Sequence, residues 1–181
     1  MLKSHTTIAL NLLFISVLAL LTGCASYEYK PSVYPLAQDR IPAFALKGTL
    51  ALENVQSSTT VKESSNSGVS HSYTYKEITD GFNTQFDVEV SKHAKVASSS
   101  AQKTIKTSIT HFLCETRGLN TWVYRCEIKG TLTTGDGTKL NMDYKHGAPV
   151  TAGIQAGFDS MIAIAVENAL EDQTVLSYLA K

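Results

Sequence analysis

Apolar and polar positions alternate most regularly between residues 104 and 145. Folding this stretch about Asp136 sets Leu132 opposite Leu140 and Ile128 opposite Tyr144, and the glycines on either side of Asp136 favour a tight hairpin turn. One face then gathers Trp122, Tyr124, Cys126, Ile128, Leu132, Leu140, Met142 and Tyr144. The other face gathers Arg125, Glu127, Lys129, Lys139 and Asp143. This alternation predicts a three-stranded antiparallel meander with one buried face.

Cys114 and Cys126 stand at equal distances from Asn120, and a turn near Gly118-Leu119-Asn120 would place them directly opposite each other. Directly opposed residues of antiparallel strands have the Cα separation that a disulfide needs. A redox pair and a metal site are the alternatives. Redox pairs usually have Cys-x-x-Cys spacing, and zinc needs more ligands than the two cysteines and nearby His111 supply. We therefore predict a structural disulfide.

Two further elements precede the meander. Residues 44–55 alternate in polarity and predict a half-buried strand. Residues 80–97 are ambiguous, because apolar side chains recur there every fourth residue while Phe86, Val88 and Val90 also alternate. We interpret this segment as a helix with Asp80 as its N-cap.

The clearest helical pattern covers residues 152–171. Its apolar stripe comprises Ile154, Phe158, Ile162, Ala165, Val166, Ala169 and Leu170. Asp159, Glu167 and Glu171 are expected on the solvent side of this helix. The apolar face could bind a partner or a lipid, but covering the sheet is the favoured role. A shorter helix should follow, with Val175, Leu176 and Leu179 docked on the sheet.

Two segments lack such periodicity. Residues 24–42 contain three prolines and predict an extended tether that could hold the domain up to ~50 Å from a bilayer. Its tyrosines could lie at the membrane interface, pack on the domain or be exposed. Residues 56–72 are rich in serine and predict a loop, with a turn at Asn66-Ser67-Gly68.

The N-terminus carries the most specific motif. A run of apolar residues over 8–21 follows a single early charge, Lys3, and is short for a membrane span but suited to a signal peptide. Leu21-Thr22-Gly23-Cys24 follows directly and resembles the lipobox of bacterial lipoproteins. The resemblance implies that residues 1–23 are cleaved and that Cys24 carries palmitate or similar acyl chains. Ser26, in place of an aspartate, indicates the outer membrane.

Net charge narrows the function classes. The 181 residues include 16 basic and 16 acidic side chains, so the formal charge is zero. A nucleic-acid binder needs a surplus of lysine and arginine, which this chain lacks. We therefore expect no nucleic-acid partner.

No catalytic motif is found. The chain has no phosphate-binding loop, no Gly-x-Ser-x-Gly elbow and no His-Glu-x-x-His pair. His71, His93, His111 and His146 each stand apart in sequence. The paired acids Asp87 with Glu89 and Glu171 with Asp172 are most simply solvated faces. We predict no catalytic, metal or cofactor-binding residues and no cofactor, although a triad assembled in space from distant residues stays an alternative.

The order of elements predicts an α+β two-layer domain over residues 43–181, with an antiparallel sheet covered by the C-terminal helix. Together with the lipobox, the meander and the amphipathic C-terminus, this order is similar to small outer-membrane lipoproteins of the YajG-like kind. The resemblance implies a periplasm-facing envelope lipoprotein.

We expect a non-enzymatic accessory or binding protein that is held to the membrane through Cys24 and contacts an unidentified envelope protein. The alternatives are an envelope hydrolase, or a carrier that holds a lipid or small apolar ligand between sheet and helix.

Overall fold

The computed structural model describes residues 25–66, 69–116 and 123–181. Seven strands and three helices follow one another along these residues. In chain order they are β1 (Ala25–Glu28), β2 (Phe44–Asn54), β3 (Val61–Asn66), β4 (Val69–Thr74), α1 (Tyr75–His93), β5 (Ala94–Thr116), β6 (Val123–Thr134), β7 (Lys139–Pro149), α2 (Gly153–Glu171) and α3 (Gln173–Ala180). A short 3-10 turn, Val150–Ala152, leads into α2. The predicted α+β fold class is confirmed.

The main sheet has the order β2-β5-β6-β7, and its last three strands are the predicted meander. The register is the one expected: Leu132 pairs with Leu140, and Ile128 pairs with Tyr144. Tyr124, Cys126, Ile128 and Leu132 are buried under the helices. Trp122 and the turn at Gly118-Leu119-Asn120 lie outside the described residues.

The hairpin between β6 and β7 turns at Asp136. Gly137 adopts a φ of 87°, a left-handed conformation that glycine takes at little cost. The Asp136 carboxylate accepts hydrogen bonds from the Thr134 hydroxyl at 2.6 Å and the Thr138 amide at 3.2 Å. These donors favour the ionised form and lower the pKa of Asp136 to about 2. Turn chemistry thus accounts for an aspartate at this position.

Cys114 and Cys126 form the expected disulfide. They are directly paired across β5 and β6, with their Cα atoms 4.0 Å apart. Both side chains are buried in the core. The bond therefore links two strands at the end of the sheet where β5 finishes.

Strand β2 runs parallel to β5, and the chain crosses between them through β3, β4 and α1. The pairing shifts between Lys47 and Thr49, where residues 98–101 of β5 bulge opposite Gly48. Gly48 has a φ of 90°, and a Cβ there would lie 1.9 Å from the carbonyl oxygen of Ala101. Residues 98–101 thus form a bulge within one long strand.

The predicted second helix is present, but it begins earlier than expected. Thr74, not Asp80, is the N-cap of α1, and it forms a capping box with Glu77. Asp80 lies inside the helix, where its carboxylate accepts hydrogen bonds from Lys76 and Asn54. The helix ends at His93 because the following residues pair with β2 as strand β5.

The long C-terminal helix α2 is confirmed, and its predicted apolar stripe is buried. The expectation for its acidic residues was wrong at two of three positions. Asp159 and Glu167 are only 5% and 6% exposed, whereas Glu171 is exposed. The final helix α3 docks as expected, with Val175 and Leu179 fully buried.

The serine-rich segment is not the predicted loop. Residues 61–74 form a hairpin, β3 with β4, and β1 joins it in parallel to give a second sheet of order β1-β4-β3. Short hydroxyl side chains give this hairpin a weak apolar signal, so its stability depends on neighbours. Residues 67 and 68 of the predicted turn lie outside the described part of the chain.

The second sheet covers an edge of β5. Strand β2 stops pairing at Thr107, whereas β5 continues to Thr116. Side chains then replace the missing strand: Gln56 donates to the carbonyl of Ile109, and Tyr73 donates to that of Phe112, both at 2.6 Å. The Ser64 hydroxyl likewise donates to the carbonyl of Cys114. These donors satisfy backbone groups that an uncovered edge would leave free.

Candidate functional site

The segment expected to be a tether lies on the domain. We call residues 29–41 the strap, because they run along the outer side of the helix layer and contact both α1 and α2. Tyr29 and Ile41, at its two ends, are 0% and 1% exposed. The strap differs from a free tether because both helices present polar side chains that bond to it.

Asp159 of α2 holds the first part of the strap. Its Oδ1 accepts hydrogen bonds from the Tyr29 hydroxyl at 2.6 Å and from the Ser32 amide at 3.1 Å. Its Oδ2 accepts from the Ser32 hydroxyl at 2.6 Å. Gln155, one turn earlier, donates to the carbonyl of Lys30 at 2.8 Å and reaches Asp159 Oδ2 at 3.3 Å. A buried carboxylate with this many donors is an anchoring point and not a solvated charge.

The Tyr29 ring extends this contact into the core. It packs edge-on against Phe158, with ring centroids 4.7 Å apart, and Phe158 in turn meets Phe112 and Tyr73 edge-on. Burial, with the adjacent Asp159 carboxylate, raises the pKa of the Tyr29 hydroxyl far above its ordinary value of 10. Tyr29 therefore stays protonated and keeps donating its hydrogen bond across the physiological pH range.

Gln85 of α1 holds the middle of the strap. Its side-chain amide accepts from the backbone N–H of Tyr34 at 2.8 Å and donates to the carbonyl of Tyr34 at 3.1 Å, as a paired strand would. It also donates to Glu89 Oε1 at 2.8 Å, and Lys92 donates to the same oxygen at 2.9 Å. Glu89, expected on a solvated face, is instead fully buried beside His93.

A glycine allows the strap to approach α1 closely. A Cβ at Gly81 would lie 2.4 Å from the Cβ of Pro31, and 3.5 Å from Ile162 on α2. Glycine inside a helix costs ~1 kcal/mol relative to alanine. Here that cost is offset by space for Pro31 between the two helices.

Arg40 closes the far end of the strap. Its guanidinium forms a two-pronged ion pair with Glu167 of α2, at 2.7 and 2.8 Å. Planar bidentate pairs of this kind fix geometry as well as charge. Nearby His146 has a lowered pKa, chiefly through burial and then through the Arg40 charge, with Glu167 opposing the effect. His146 is thus favoured in its neutral form.

A second feature lies on the opposite, solvent-facing side of the main sheet. A cavity of about 490 Å³ is lined by Leu113, Glu115, Val123, Arg125, Cys126, Glu127, Lys145, His146 and Gly147. Glu127 Oε1 lies 2.9 Å from His111 Nε2, and this hydrogen bond lowers the pKa of the Glu127 carboxyl. The described lining includes two carboxylates and a histidine but no hydroxyl side chain, and Cys126 is already in a disulfide.

The other site residues fall in separate places. Cys24 lies outside the described residues, one position before β1. His71 packs between Tyr27 and Phe158, and burial lowers its pKa. Within the described ranges, no three histidine, cysteine or acidic side chains cluster as metal ligands, and no helix is long and apolar enough to cross a membrane.

The strap contacts were missed from the sequence. One sequence feature could have predicted these contacts: α2 combines acidic residues with an apolar surface that is unusually wide for a helix packed on one sheet. Met161 and Ala163 lie outside the predicted stripe, yet both are fully buried. A helix buried all round needs cover on both sides, which the main sheet alone cannot give.

Comparison with known proteins gives distant structural similarities. No family model matches the chain, and no curated protein matches it. A protein of family DUF330 from Xanthomonas campestris has a TM-score of 0.44 at 13% identity, covering 79% of this chain and 91% of its own. A minor lipoprotein from Acinetobacter baumannii has a TM-score of 0.37 at 10% identity, with coverage of 74% and 91%. PelC from Paraburkholderia phytofirmans, a dodecamer, has a TM-score of 0.35 at 11% identity, with coverage of 73% and 92%.

Tyr29→Phe should change how stability depends on pH. The raised pKa keeps Tyr29 protonated in the folded state, so its contribution is complete below its unfolded pKa near 10 and is lost as the pH rises above that value. Removing one such group should make the fall of unfolding free energy above pH 10 shallower by about 1.4 kcal/mol per pH unit. Near pH 7 the variant should be less stable by about 1–2 kcal/mol, because Asp159 loses a donor.

Urea denaturation of both proteins between pH 7 and 11 measures these changes. The range from pH 7 to 9 serves as the internal control, because the two curves should run parallel there. Parallel curves above pH 10 would contradict the assigned role of Tyr29.

Asp159→Ala should release the strap. Trypsin does not cut between Lys30 and Pro31, so the Arg40–Ile41 bond reports on docking. Losing three hydrogen bonds to a carboxylate should favour local opening by about 2–3 kcal/mol and speed cleavage after Arg40 by roughly 30- to 160-fold. Mass spectrometry of timed digests measures this rate. Glu171→Ala, an exposed acid on the same helix, should leave it unchanged, and equally fast cleavage in the wild type would show that the strap is free.

Proposed function

We propose that this chain is a lipid-anchored, periplasm-facing lipoprotein of the bacterial envelope, acting as a non-enzymatic accessory or binding protein. The observation that carries the proposal is the position of Cys24. It ends the lipobox Leu21-Thr22-Gly23-Cys24 and stands one residue before the first described strand. A signal peptide of residues 1–23 and an acylated Cys24 would place the anchor directly at the folded part.

The remaining chemistry supports binding more than turnover. The His111–Glu127 pair lies beside the cavity on the solvent-facing side of the main sheet, here called the open-face cavity, and offers a general base. The described residues that line this cavity offer no hydroxyl and no free thiol as a nucleophile. The carrier alternative placed a ligand between sheet and helices. Fully buried side chains fill this space among the described residues, including Ile128 on β6 and Phe158 and Val166 on α2.

The open-face cavity suits contact with an envelope protein partner. Leu113 and Val123 give it apolar surface, and its charged groups are two bases, Arg125 and Lys145, and two acids, Glu115 and Glu127. The Arg125 side chain is exposed, so it can be reached by another protein. Aromatic or apolar contacts surrounded by charged groups are the usual composition of such interfaces.

Lipidation is tested by labelling cells with a palmitate analogue. The wild type should incorporate the label and remain with membranes. Cys24→Ala should lose both properties, because Cys24 is the cysteine that ends the lipobox. The double variant Cys114→Ala/Cys126→Ala is the matched control and should keep the label. Labelling of Cys24→Ala at the wild-type level would refute the anchor.

The accessory role is tested by extraction of the lipoprotein in mild detergent and quantitative mass spectrometry of what co-purifies. One envelope protein should be recovered in near-stoichiometric amount. Arg125→Glu should lower that recovery at least ~10-fold, since reversing a charge at a contact replaces attraction with repulsion. Lys139→Glu, an exposed charge reversal elsewhere on the same sheet face, should leave recovery unchanged. Intact lipoprotein without such a partner would count against the role.

A further inference from the structure

The chain is fixed to the domain from the first residue after Cys24. All four residues of β1 pair with β4, from Ala25 with Val69 to Glu28 with Ser72. The next residue, Tyr29, donates its amide to the carbonyl of Ser72 at 2.8 Å and its hydroxyl to Asp159. One extended residue spans at most ~3.6 Å. An acyl group on Cys24 would therefore emerge within a few ångströms of the end of the second sheet.

The strand register shows which end of the molecule this is. Ala25 pairs with Val69, which pairs with Asn66. The β3–β4 hairpin lies beside β5, because the Ser64 hydroxyl donates to the carbonyl of Cys114. The end of the second sheet nearest Cys24 is therefore also the end of the main sheet that holds Thr116, the last residue of β5, and Val123, the first residue of β6. We call this the anchor end. Val96 lies near the other end of β5, at most ~60 Å away along the strand at ~3.3 Å per residue.

The anchor end is chemically suited to lipid headgroups. Of the side chains described in the second sheet, those nearest Cys24 are Ser26 and Ser70, and both carry an uncharged hydroxyl. The first charged residues of β1 and β3 counted from this end are Glu28 and Glu63. Tyr27, 55% exposed, adds an amphipathic ring of the type found at membrane interfaces. Hydroxyl groups can bond to headgroups without the cost of desolvating a charge.

We propose that the lipoprotein sits directly on the bilayer, with its anchor end against the headgroups and the Val96 end pointing away. This inference rests on the proposed lipidation of Cys24. The occupant of the anchor end is the lipid surface itself, because the chain leaves the domain there with no intervening spacer. The contact requires no anionic lipid, because the acyl chains hold the domain at the surface and the nearest described charges of β5 and β6, Glu115 and Arg125, are opposite in sign and lie directly across from each other.

The test uses the full acylated lipoprotein in phosphatidylcholine vesicles that contain headgroup-quencher lipid. A fluorophore is attached at Val123→Cys, Ser70→Cys or Val96→Cys, three positions that separate the two ends. Val123 and Val96 form a matched pair, because both are exposed valines of the same sheet. Quenching at Val123→Cys and Ser70→Cys should exceed that at Val96→Cys several-fold, because both positions lie at the anchor end.

A spacer variant supplies the control. Inserting about twelve Gly and Ser residues between Cys24 and Ala25 gives the anchor a reach of ~20 Å and should reduce quenching at Val123→Cys toward that at Val96→Cys. Equal quenching at both ends, unchanged by the spacer, would overturn the proposal while leaving lipidation intact. Vesicle flotation distinguishes failure of the orientation from failure of the lipid anchor. If the wild-type chain carries no acyl group and does not float with vesicles, the anchor is refuted, and the proposed orientation is refuted with it.

Discussion

The buried carboxylate of Asp159 organises the N-terminal part of the structure. An ionised acid that is removed from water must be supplied with donors, and here Tyr29 and Ser32 supply them. The requirement is mutual, because the Tyr29 hydroxyl, also buried, needs an acceptor. Once this contact forms, the strap must follow the outer side of the helix layer. β1 is then carried to β4, and the second sheet gains its third strand.

The strap also explains the shape of the helix layer. Two amphipathic helices on a sheet normally leave their outer faces in water. In this protein α2 is buried on both sides, with the main sheet beneath it and the strap above. Gln85 and Gly81 serve the same purpose on α1, the first by pairing with the backbone of Tyr34 and the second by admitting Pro31. The result is a sheet, a helix layer and an extended covering segment.

The sequence was sufficient where structure depends on neighbours along the chain. The meander, its register and the disulfide follow from alternation and turn residues within about 40 positions. The strap could not be predicted in this way, because the partners at its two ends, Asp159 and Glu167, are more than 120 residues distant. Both look like solvated acids until those contacts are in place. The β3–β4 hairpin was missed for a related reason, since its serines signal a loop unless β1 and the edge of β5 are known to be adjacent.

The contact between Tyr29 and Asp159 joins residues separated by 130 positions. A chain made from its N-terminus has no partner for Tyr29 or Ser32 until α2 exists, so docking of the first part of the strap is a late event in folding and a contribution to contact order. Completion of α2 is therefore the step that makes this part of the strap rigid.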